Sequence, residues 1–206
     1  MDGSLIKIQG KIDREVNVAC SGGIDSMAVV DFLMQNHKVN LLFFDHGTET
    51  STDARNFITE KFTQREFSDD TRVEFGNVQN TKSKSESWEE YWRNERYAWF
   101  HSFDSPVITC HHLDDCVETW LWSSIHGNGK IIPYANLNVI RPFRQNRKAE
   151  FANWARRKDV SWIEDVSNQD VKYMRNFIRR DLMPKALVVN PGLHKVVEKK
   201  VGADAP

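Results

Sequence analysis

Apolar residues recur along the first two thirds of the chain in two alternating patterns. Short continuous apolar runs are typical of strands buried on both faces of a parallel sheet, and they predict strands over residues 16–20, 39–44, 72–78 and 106–110. Between them, apolar residues spaced by three and four predict helices. These helices cover residues 24–34, residues from an N-cap at Ser51 to about 67, residues from a cap at Ser85 or Ser87 to about 103, and residues 113–125.

This alternation predicts an α/β fold with a doubly wound, mostly parallel sheet and right-handed crossovers. After Gly129 the pattern changes to helices, over residues 148–158 and 173–182, the second ended by Pro184. The 206 residues suit one domain over 1–206. Within it we expect a nucleotide-binding α/β part over residues 1–136 and a basic helical part over residues 137–206.

Composition excludes several classes of protein. Apolar residues make up 40% of the chain, enough for a sizeable core, and no apolar run approaches the length of a membrane span. The first 15 residues are interrupted by charges, so we expect that they are not a signal peptide. Three cysteines without a C-x-x-C spacing fit a reducing compartment, so we expect a cytoplasmic protein.

The net charge of -1 conceals two unlike parts. Residues 137–200 contain 15 Lys or Arg and seven Asp or Glu, a net +8, whereas the remainder has 13 basic and 22 acidic residues, a net −9. Such asymmetry indicates a surface that faces a polyanion, although solvated helix faces would give the same count. The near-neutral total therefore does not exclude a nucleic-acid partner.

A glycine-rich loop joins the first predicted strand to the first helix. Adjacent glycines allow a tight turn that exposes N–H groups, and the helix N-terminus adds positive charge. Together with two serine hydroxyls they suit a phosphate or pyrophosphate. Asp25 is either an N-cap or a carboxylate that holds Mg²⁺. The loop consists of Ser21, Gly22, Gly23, Ile24, Asp25 and Ser26.

Acidic and imidazole side chains follow the fourth predicted strand. If the helix begins near His112, then His111, Asp115 and Glu118 lie on one of its edges. Such a set can bind Mg²⁺, orient an amine or accept its proton. Alternatively, Asp114 and Asp115 could have no catalytic role and serve only to compensate the helix dipole. A zinc site is disfavoured because the Cys and His residues from 110 to 116 are too crowded.

The loop SGGIDS resembles the SGGxDS signature of the PP-loop ATP pyrophosphatases, and HHLDDCVET resembles the HHxDDQxET motif of the tRNA(Ile)-lysidine synthetase family, with Cys116 in place of Gln. Further matches cover about residues 16 to 192. They are the FDHG segment at 44–47, the ARxxRY helix with Trp92 in place of Ala, the IRPL turn at 140–143, and the WxEDxSN and RNxIR blocks at 162–168 and 175–179. The RGxGxxGLxGM segment of the family is altered here at 126–130.

The resemblance implies a Rossmann-like fold of the PP-loop ATP pyrophosphatase type and a ligase that uses ATP and Mg²⁺. The family adenylates the wobble cytidine of the isoleucine tRNA with a CAU anticodon, and free L-lysine then displaces AMP to give lysidine. On this chain, residues 21–26 with Asp45 and Arg175 would bind ATP, and Asp25 would hold Mg²⁺. His111, Asp115 and Glu118 would bind or deprotonate the incoming lysine and help to position the activated base. For Asp45 a capping role is the alternative.

Basic residues outside these motifs are candidates for tRNA binding. They are Arg93, Arg96, Lys148, Arg156, Arg157 and Arg179. Phosphate contacts of this kind would make binding salt-dependent. Arg93 and Arg96 could instead pair with Glu89 or Glu90, and Trp154 and Trp162 could either stack on a base or lie in the core. We expect no membrane association, and the sequence leaves a homodimer open.

Two other functions remain open at this point. The chain could be another PP-loop tRNA enzyme, such as a cytidine 2-thiolase, but those carry paired C-x-x-C motifs and Cys110 and Cys116 are six apart. It could also be a catalytically inactive tRNA-binding module. The intact SGGIDS and HHLDD motifs argue against this alternative. We therefore expect the lysidine-forming ligase.

Overall fold

The computed structural model describes residues 6–63, 71–164 and 174–204. In these ranges the strands are β1 (Glu15–Ala19), β2 (Lys38–Asp45), β3 (Val73–Asn77), β4 (Val107–Ile108), β5 (Ala135–Asn136) and β6 (Val139–Ile140). The helices are α1 (Ile24–Met34), α2 (Glu49–Thr63), α3 (Trp88–His101), α4 (Leu113–Ile125), α5 (Lys148–Arg157), α6 (Met174–Phe177), α7 (Met183–Val189) and α8 (Leu193–Ala203). A π-helical turn, Ile178–Leu182, joins α6 to α7. No helix in the described part of the chain is long and apolar enough to cross a membrane.

The strands form one sheet in the order β3-β2-β1-β4-β6-β5, and each pairing is parallel except that of β5 with β6. The chain moves from β1 outward to β2 and β3, then returns through α3 to β4 on the other side of β1. Ligands of doubly wound sheets bind in the crevice at this reversal. The predicted fold class is therefore confirmed, and the two motif segments, which follow β1 and β4, meet at one edge of the sheet.

Neighbouring residues of the central strands face opposite layers of helices. In β2, Leu41 and Phe43 belong to the core shared with α1, α2 and α5, whereas Leu42 belongs to a second core on the α3 side. Ile108 and Val107 of β4 divide in the same way. Because both faces of the sheet are buried, the strands appear in the sequence as continuous apolar runs.

Helix starts follow the local capping chemistry. Ser87 caps α3 by accepting a hydrogen bond from the backbone N–H of Glu90. The start predicted for α2 was wrong: the helix begins at Glu49, and the Thr48 hydroxyl accepts the N–H of Ser51 at 3.2 Å. Ser51 thus lies inside the first turn rather than at the N-cap. The predicted continuation of this helix beyond residue 63 lies outside the described residues.

The prediction that Pro184 ends a helix over residues 173–182 was also wrong. The helical run continues through the π-helical turn, in which Met183 donates its N–H to the carbonyl of Ile178, five residues earlier. Pro184 lies in the first turn of α7. Proline is tolerated in the first turn of a helical segment, and the change from π-helical to α-helical hydrogen bonding gives this segment its start. The widened turn restarts the hydrogen-bonding pattern just before the proline.

The final helix packs on the helix that carries the acidic motif. Leu193, Val197 and Val201 of α8 form a small core with Leu113 and Val117 of α4. This helix and the short strands β5 and β6 were not predicted from the sequence. The packing fixes α4 from the side opposite the crevice.

Arg144 is a buried charge that fastens the end of α8. Its side chain is 0% exposed, and it donates hydrogen bonds to Asp204 at 2.7 Å and to the carbonyl of Ile132 at 2.6 Å. Asp204 also accepts the backbone N–H of Tyr134 at 2.7 Å. Because an unpaired buried guanidinium would be strongly destabilising, the pairing ties the last helix to the edge of the sheet.

We expect Gly76→Ala to destabilise the fold. Gly76 of β3 is buried, and an added Cβ would overlap the indole ring of Trp99 on α3. Overpacking of this kind lowers the free energy of unfolding by about 1–3 kcal/mol, measurable by urea denaturation. Gly202→Ala is the matched control, since the new Cβ lies 3.4 Å from Gln145 inside α8 and alanine favours a helix. Equal losses in both variants would contradict this account.

Candidate active site

The loop after β1 leaves a helix N-terminus open toward the crevice. Gly22 has a positive φ of 80°, and Gly23 is the N-cap of α1 without any side-chain cap. The Ser26 hydroxyl donates to the carbonyl of Gly23 at 2.9 Å and accepts the N–H of Ser21 at 3.2 Å. This closed loop presents N–H groups and a dipole to an anion, which is the geometry of phosphate-binding turns.

A later segment of the chain covers the loop. Ile163 donates its N–H to the carbonyl of Gly22 at 2.9 Å, and a Cβ on Gly22 would lie 3.1 Å from the Ile163 side chain. The glycine is therefore required by both its conformation and this close approach. The neighbouring Trp162 lines the cavity in front of the loop.

Two adjoining cavities occupy the crevice. The larger, of about 600 Å³, lies between the loop, the end of β2 and Trp162. The smaller, of about 330 Å³, lies between the ends of β1 and β4 and is lined by His111, Asp115 and Tyr97. Residues that line both are Ser21, Asp25, Ser26, Phe44, His46, Arg96 and Arg179. The phosphate loop and the acidic motif thus face a common space.

Asp25 lies on the wall between the two cavities. Since Gly23 is the N-cap, Asp25 is a first-turn residue of α1 and not the capping residue. Its Oδ2 lies 3.6 Å from Nε2 of His112 and 3.8 Å from Nζ of Lys148, whereas its Oδ1 is buried and has no hydrogen-bond partner among the described residues. A buried carboxylate oxygen beside a phosphate loop is a suitable ligand for Mg²⁺, which binds through one or two carboxylates together with phosphates.

His112 and Asp115 fix the start of α4. The backbone N–H of His112 donates to Asp115 at 3.0 Å, and the N–H of Asp115 donates to Nδ1 of His112 at 3.2 Å. This reciprocal cap makes His112 the N-cap, so His111 precedes the helix, and the expectation that it shares a helix edge with Asp115 and Glu118 was wrong. His111 nevertheless reaches the smaller cavity from the end of β4, with Nδ1 2.9 Å from the Thr109 hydroxyl.

Two arginines of the C-terminal part bind the two acids of α4. Arg175 donates to Asp115 at 2.8 Å and to Glu118 at 3.1 Å. Arg179 donates to Glu118 at 2.6 Å and to Asp115 at 3.3 Å. Glu118 is 2% exposed, whereas the side chain of Arg175 is 49% exposed. Asp115 also lines the smaller cavity, so an incoming ammonium group would compete with the guanidinium groups for this carboxylate.

The surroundings of this cluster favour the charged forms of its acids and arginines. Burial alone would raise the pKa of Asp115, but His112 and Arg175 outweigh it and hold the pKa well below its usual range. Burial opposes the charge of Arg175 as well, yet the two acids raise the pKa of its guanidinium. A carboxylate of such low basicity binds a cation well and is a weak proton acceptor at neutral pH.

Asp114 serves the packing of helices rather than the crevice. It accepts the N–H of Lys148 at 2.8 Å, at the start of α5, and lies 3.1 Å from Nε2 of His194 on α8. Burial opposes its charge, but these contacts lower its pKa overall. One carboxylate thus joins three helices.

Asp45 organises the turn after β2. Its Oδ1 accepts the Ser51 hydroxyl at 2.6 Å and the Gly47 N–H at 2.8 Å, and Arg55 lies 3.6 Å from its Oδ2. Burial would raise its pKa, and the two hydrogen bonds lower it overall. Its side chain lines neither cavity in the described part of the chain. The predicted contact with adenosine stays a prediction.

The candidate RNA-binding residues divide into two groups. Arg96, Lys148, Arg156 and Arg179 line the crevice. Arg93 and Arg157 lie outside it on exposed faces, where Arg93 covers the ring of Tyr97 at 5.2 Å and Arg157 that of Trp154 at 5.7 Å. The ring of Trp154 itself is in the core, 4% exposed, with its indole N–H donated to Asp31.

Sequence reasoning missed some residues of the site. Phe44 and His46 line both cavities, and Tyr97 lines the smaller one. The position of Phe44 near the end of β2, and of His46 directly after the strand, was a usable signal, because side chains at the carboxyl end of a strand face the crevice. The pairing of Arg175 and Arg179 with the acids had no signal, since the partners are about sixty residues apart.

The described residues contain no cluster of three or more His, Cys, Asp or Glu side chains suited to a metal ion. Cys20, Cys110 and Cys116 are free thiols. Burial raises the pKa of Cys116 to about 12, and its side chain packs between α4 and α8. This thiol is therefore inert.

A family model described as a PP-loop domain matches residues 4–186, and the chain belongs to this family. Membership of this ATP-binding family supports the use of ATP. The chain is also similar to curated tRNA(Ile)-lysidine synthases, which confirms the resemblance carried by the motifs.

The protein from Thermotoga sp. (strain RQ2) is 31% identical over 91% of this chain and 49% of its own length. The protein from Photorhabdus laumondii subsp. laumondii is 30% identical over 83% of this chain and 42% of its own length. The chain thus spans about half the length, or less, of these relatives. Among solved structures, the U34-tRNA thiolase NcsA from Methanococcus maripaludis superposes with a TM-score of 0.65 over 93% of this chain and 72% of that one. At 14% identity this likeness shows the fold alone.

We expect His111 to stay neutral through the physiological range. Burial lowers its pKa to about 3, against the opposing pull of Asp115. Its ring resonance in NMR spectra, assigned with His111→Gln, should hold its position from about pH 8 to about pH 5. Because the unfolded chain takes up this proton at the ordinary pKa, His111→Gln should also reduce the loss of stability on acidification below neutrality. A titration midpoint near the ordinary value would contradict the burial of this ring.

Proposed function

We propose that this protein is an ATP-dependent tRNA-modifying ligase that joins lysine to the wobble cytidine of an isoleucine tRNA with a CAU anticodon. The observation that carries the proposal is the common wall of the two cavities. There a phosphate-binding loop faces an acidic motif across a space that both line. The similarity to tRNA(Ile)-lysidine synthases supplies the identity of the amine and of the RNA.

In this proposal the larger cavity receives ATP with its phosphates against the loop. The loop residues that line this cavity, Ser21, Gly23, Ile24 and Ser26, bind pyrophosphate through N–H groups and hydroxyls. Mg²⁺, when bound, would neutralise the phosphate oxygens and make pyrophosphate a better leaving group. Asp25 would hold it through its unpartnered Oδ1. Lys148 lies 3.8 Å from the same carboxylate and adds positive charge beside the loop.

The smaller cavity receives the reacting base and the amine. Asp115 attracts the lysine ammonium, which takes the place of the half-exposed Arg175 guanidinium. The amine must lose a proton before it attacks. His111, neutral and at the cavity wall, is placed to accept it, although its low pKa makes it a weak base.

The basic C-terminal part provides the RNA-facing surface. Arg156 lies at the rim of the larger cavity, and Arg157 is exposed on the same helix, α5. Contacts of these side chains with phosphates would release counterions, so tRNA affinity should fall steeply with salt. The protein acts on cytoplasmic tRNA in this proposal.

A thiolase reaction is not favoured. Such chemistry needs reactive thiols, whereas burial keeps the Cys116 thiol protonated and raises the pKa of Cys110 as well. Both residues are free, and neither belongs to a C-x-x-C pair.

The proposal is tested by incubating the protein with ATP, Mg²⁺, radiolabelled lysine and a CAU-anticodon isoleucine tRNA. Label should enter the tRNA with release of AMP and pyrophosphate, and no label should enter when the wobble cytidine is replaced by uridine. Release of AMP without transfer of lysine would contradict the choice of amine. Binding of tRNA without any cleavage of ATP would identify an inactive binding module instead.

We expect Asp115→Asn to abolish lysine transfer and to leave tRNA affinity within about twofold. The amide removes the charge that attracts the ammonium, and it leaves Arg175 and Arg179 with a weaker partner. Asp159→Asn is the matched control, because this exposed residue has a φ of 51° that asparagine tolerates. Transfer at the wild-type rate in Asp115→Asn would remove this carboxylate from the mechanism.

A further inference from the structure

A row of aromatic rings runs from the crevice to the surface. We define the aromatic row as Phe44, His46, Trp92 and Trp88. Phe44 and His46 line both cavities, and their rings lie 5.3 Å apart between centroids. The ring of Trp92 lies 5.9 Å from that of His46, and the ring of Trp88 lies 5.4 Å from that of Trp92 with a tilt of 35°. The row therefore connects the reacting space with solvent.

The outer two rings do not serve the hydrophobic core. Trp88 is 56% exposed, and the core on this side of the sheet is formed by Leu42, Phe100, Val107 and Val139. Neither Trp88 nor Trp92 belongs to a core cluster among the described residues. Trp92 is half-buried beside Trp88, so the two rings present one aromatic surface that the hydrophobic core does not explain.

Positive charge accompanies the row. Nζ of Lys82 lies 5.2 Å from the centroid of the Trp88 ring. Trp88 and Trp92 share one helix face because they are four residues apart. Glu95 shares this face, but its carboxylate accepts the backbone N–H groups of Gln79 and Asn80. The rings thus offer aromatic faces beside a cation, a combination suited to a base and its phosphate.

We propose that the aromatic row is a stacking site for an unpaired RNA base, next to the base that enters the smaller cavity. This rests on the proposed tRNA substrate and assigns Trp88 and Trp92 as its binding residues. Recognition of RNA loops depends on bases that are splayed out and stacked on aromatic side chains. Stacking on Trp88 and Trp92 holds the neighbouring nucleotide. The reacting nucleotide enters the smaller cavity past His46, which lines the cavity wall.

The first test measures the affinity of the full chain for a fluorescein-labelled RNA hairpin with the CAU loop by anisotropy. Trp88→Ala and Trp92→Ala should each weaken binding about tenfold, since stacking on one base contributes about 1–3 kcal/mol. Trp88→Phe should retain most of the affinity because a ring remains. Trp122→Ala is the matched control, as Trp122 is 46% exposed on α4 and stacks on His126. Circular dichroism verifies that each variant is folded.

A second hairpin carries abasic nucleotides beside the wobble position. The wild type should bind it about as weakly as Trp88→Ala binds the intact loop, and Trp88→Ala should lose little further affinity. Equal affinity of Trp88→Ala, Trp92→Ala and wild type for the intact loop would overturn the proposal, as would an equal loss in Trp122→Ala. Self-association of the wild type that is lost in Trp88→Ala, with RNA affinity unchanged, would assign the row to a second copy of the chain instead.

The test of the stacking site and the test of the proposed ligase reaction can fail independently. If the tryptophan variants lose RNA affinity but wild type transfers no lysine, the stacking site stands and the ligase reaction fails. If lysine is transferred and the variants bind RNA normally, the stacking site alone fails. Absence of any RNA binding by wild type would overturn both.

Discussion

The ion cluster between α4 and the C-terminal part is the interaction on which the candidate site depends. Two carboxylates on successive turns of α4 are bound by two guanidinium groups that arise about sixty residues later. Removing one member of such a cluster would leave buried charge uncompensated, at a cost of about 3–5 kcal/mol. The cluster therefore holds α6 and the π-helical turn over the crevice, and it places the cations of the C-terminal part beside the phosphate loop.

The same cluster brings the acidic and the basic part of the chain together in the crevice. Three acids of the α/β part meet cations there: Asp25 lies beside Lys148, and Asp115 and Glu118 lie beside the two arginines. The exposed charges at the end of α5, Arg156 and Arg157, are basic. The proposed RNA substrate would therefore meet positive charge on this helix, beside the crevice.

Much of the fold was predictable, because its central strands are buried on both faces and the helices between them show apolar residues at helical spacing. The bounds of α1 and α4 agree with the sequence pattern, and the parallel order follows from alternating strands and helices. The predictions of helix ends and short strands were wrong where interactions with nearby residues outweighed the local sequence pattern. Thr48 displaced Ser51 as a cap, a π-helical turn carried the chain past Pro184, and two-residue strands were too short to leave a pattern.

For the site, the sequence by itself determined the chemistry: a glycine-rich loop before a helix must expose N–H groups, and HHLDD must place acids after a strand. Only the tertiary structure decided which of these groups are free and which are paired. Asp45 is bound by residues of its own turn, Asp114 by residues of two other helices, and Asp115 and Glu118 by arginines. Oδ1 of Asp25 has no hydrogen-bond partner in the part of the chain that the structure describes. Pairing depends on distances between residues far apart in the chain, which no local spacing encodes.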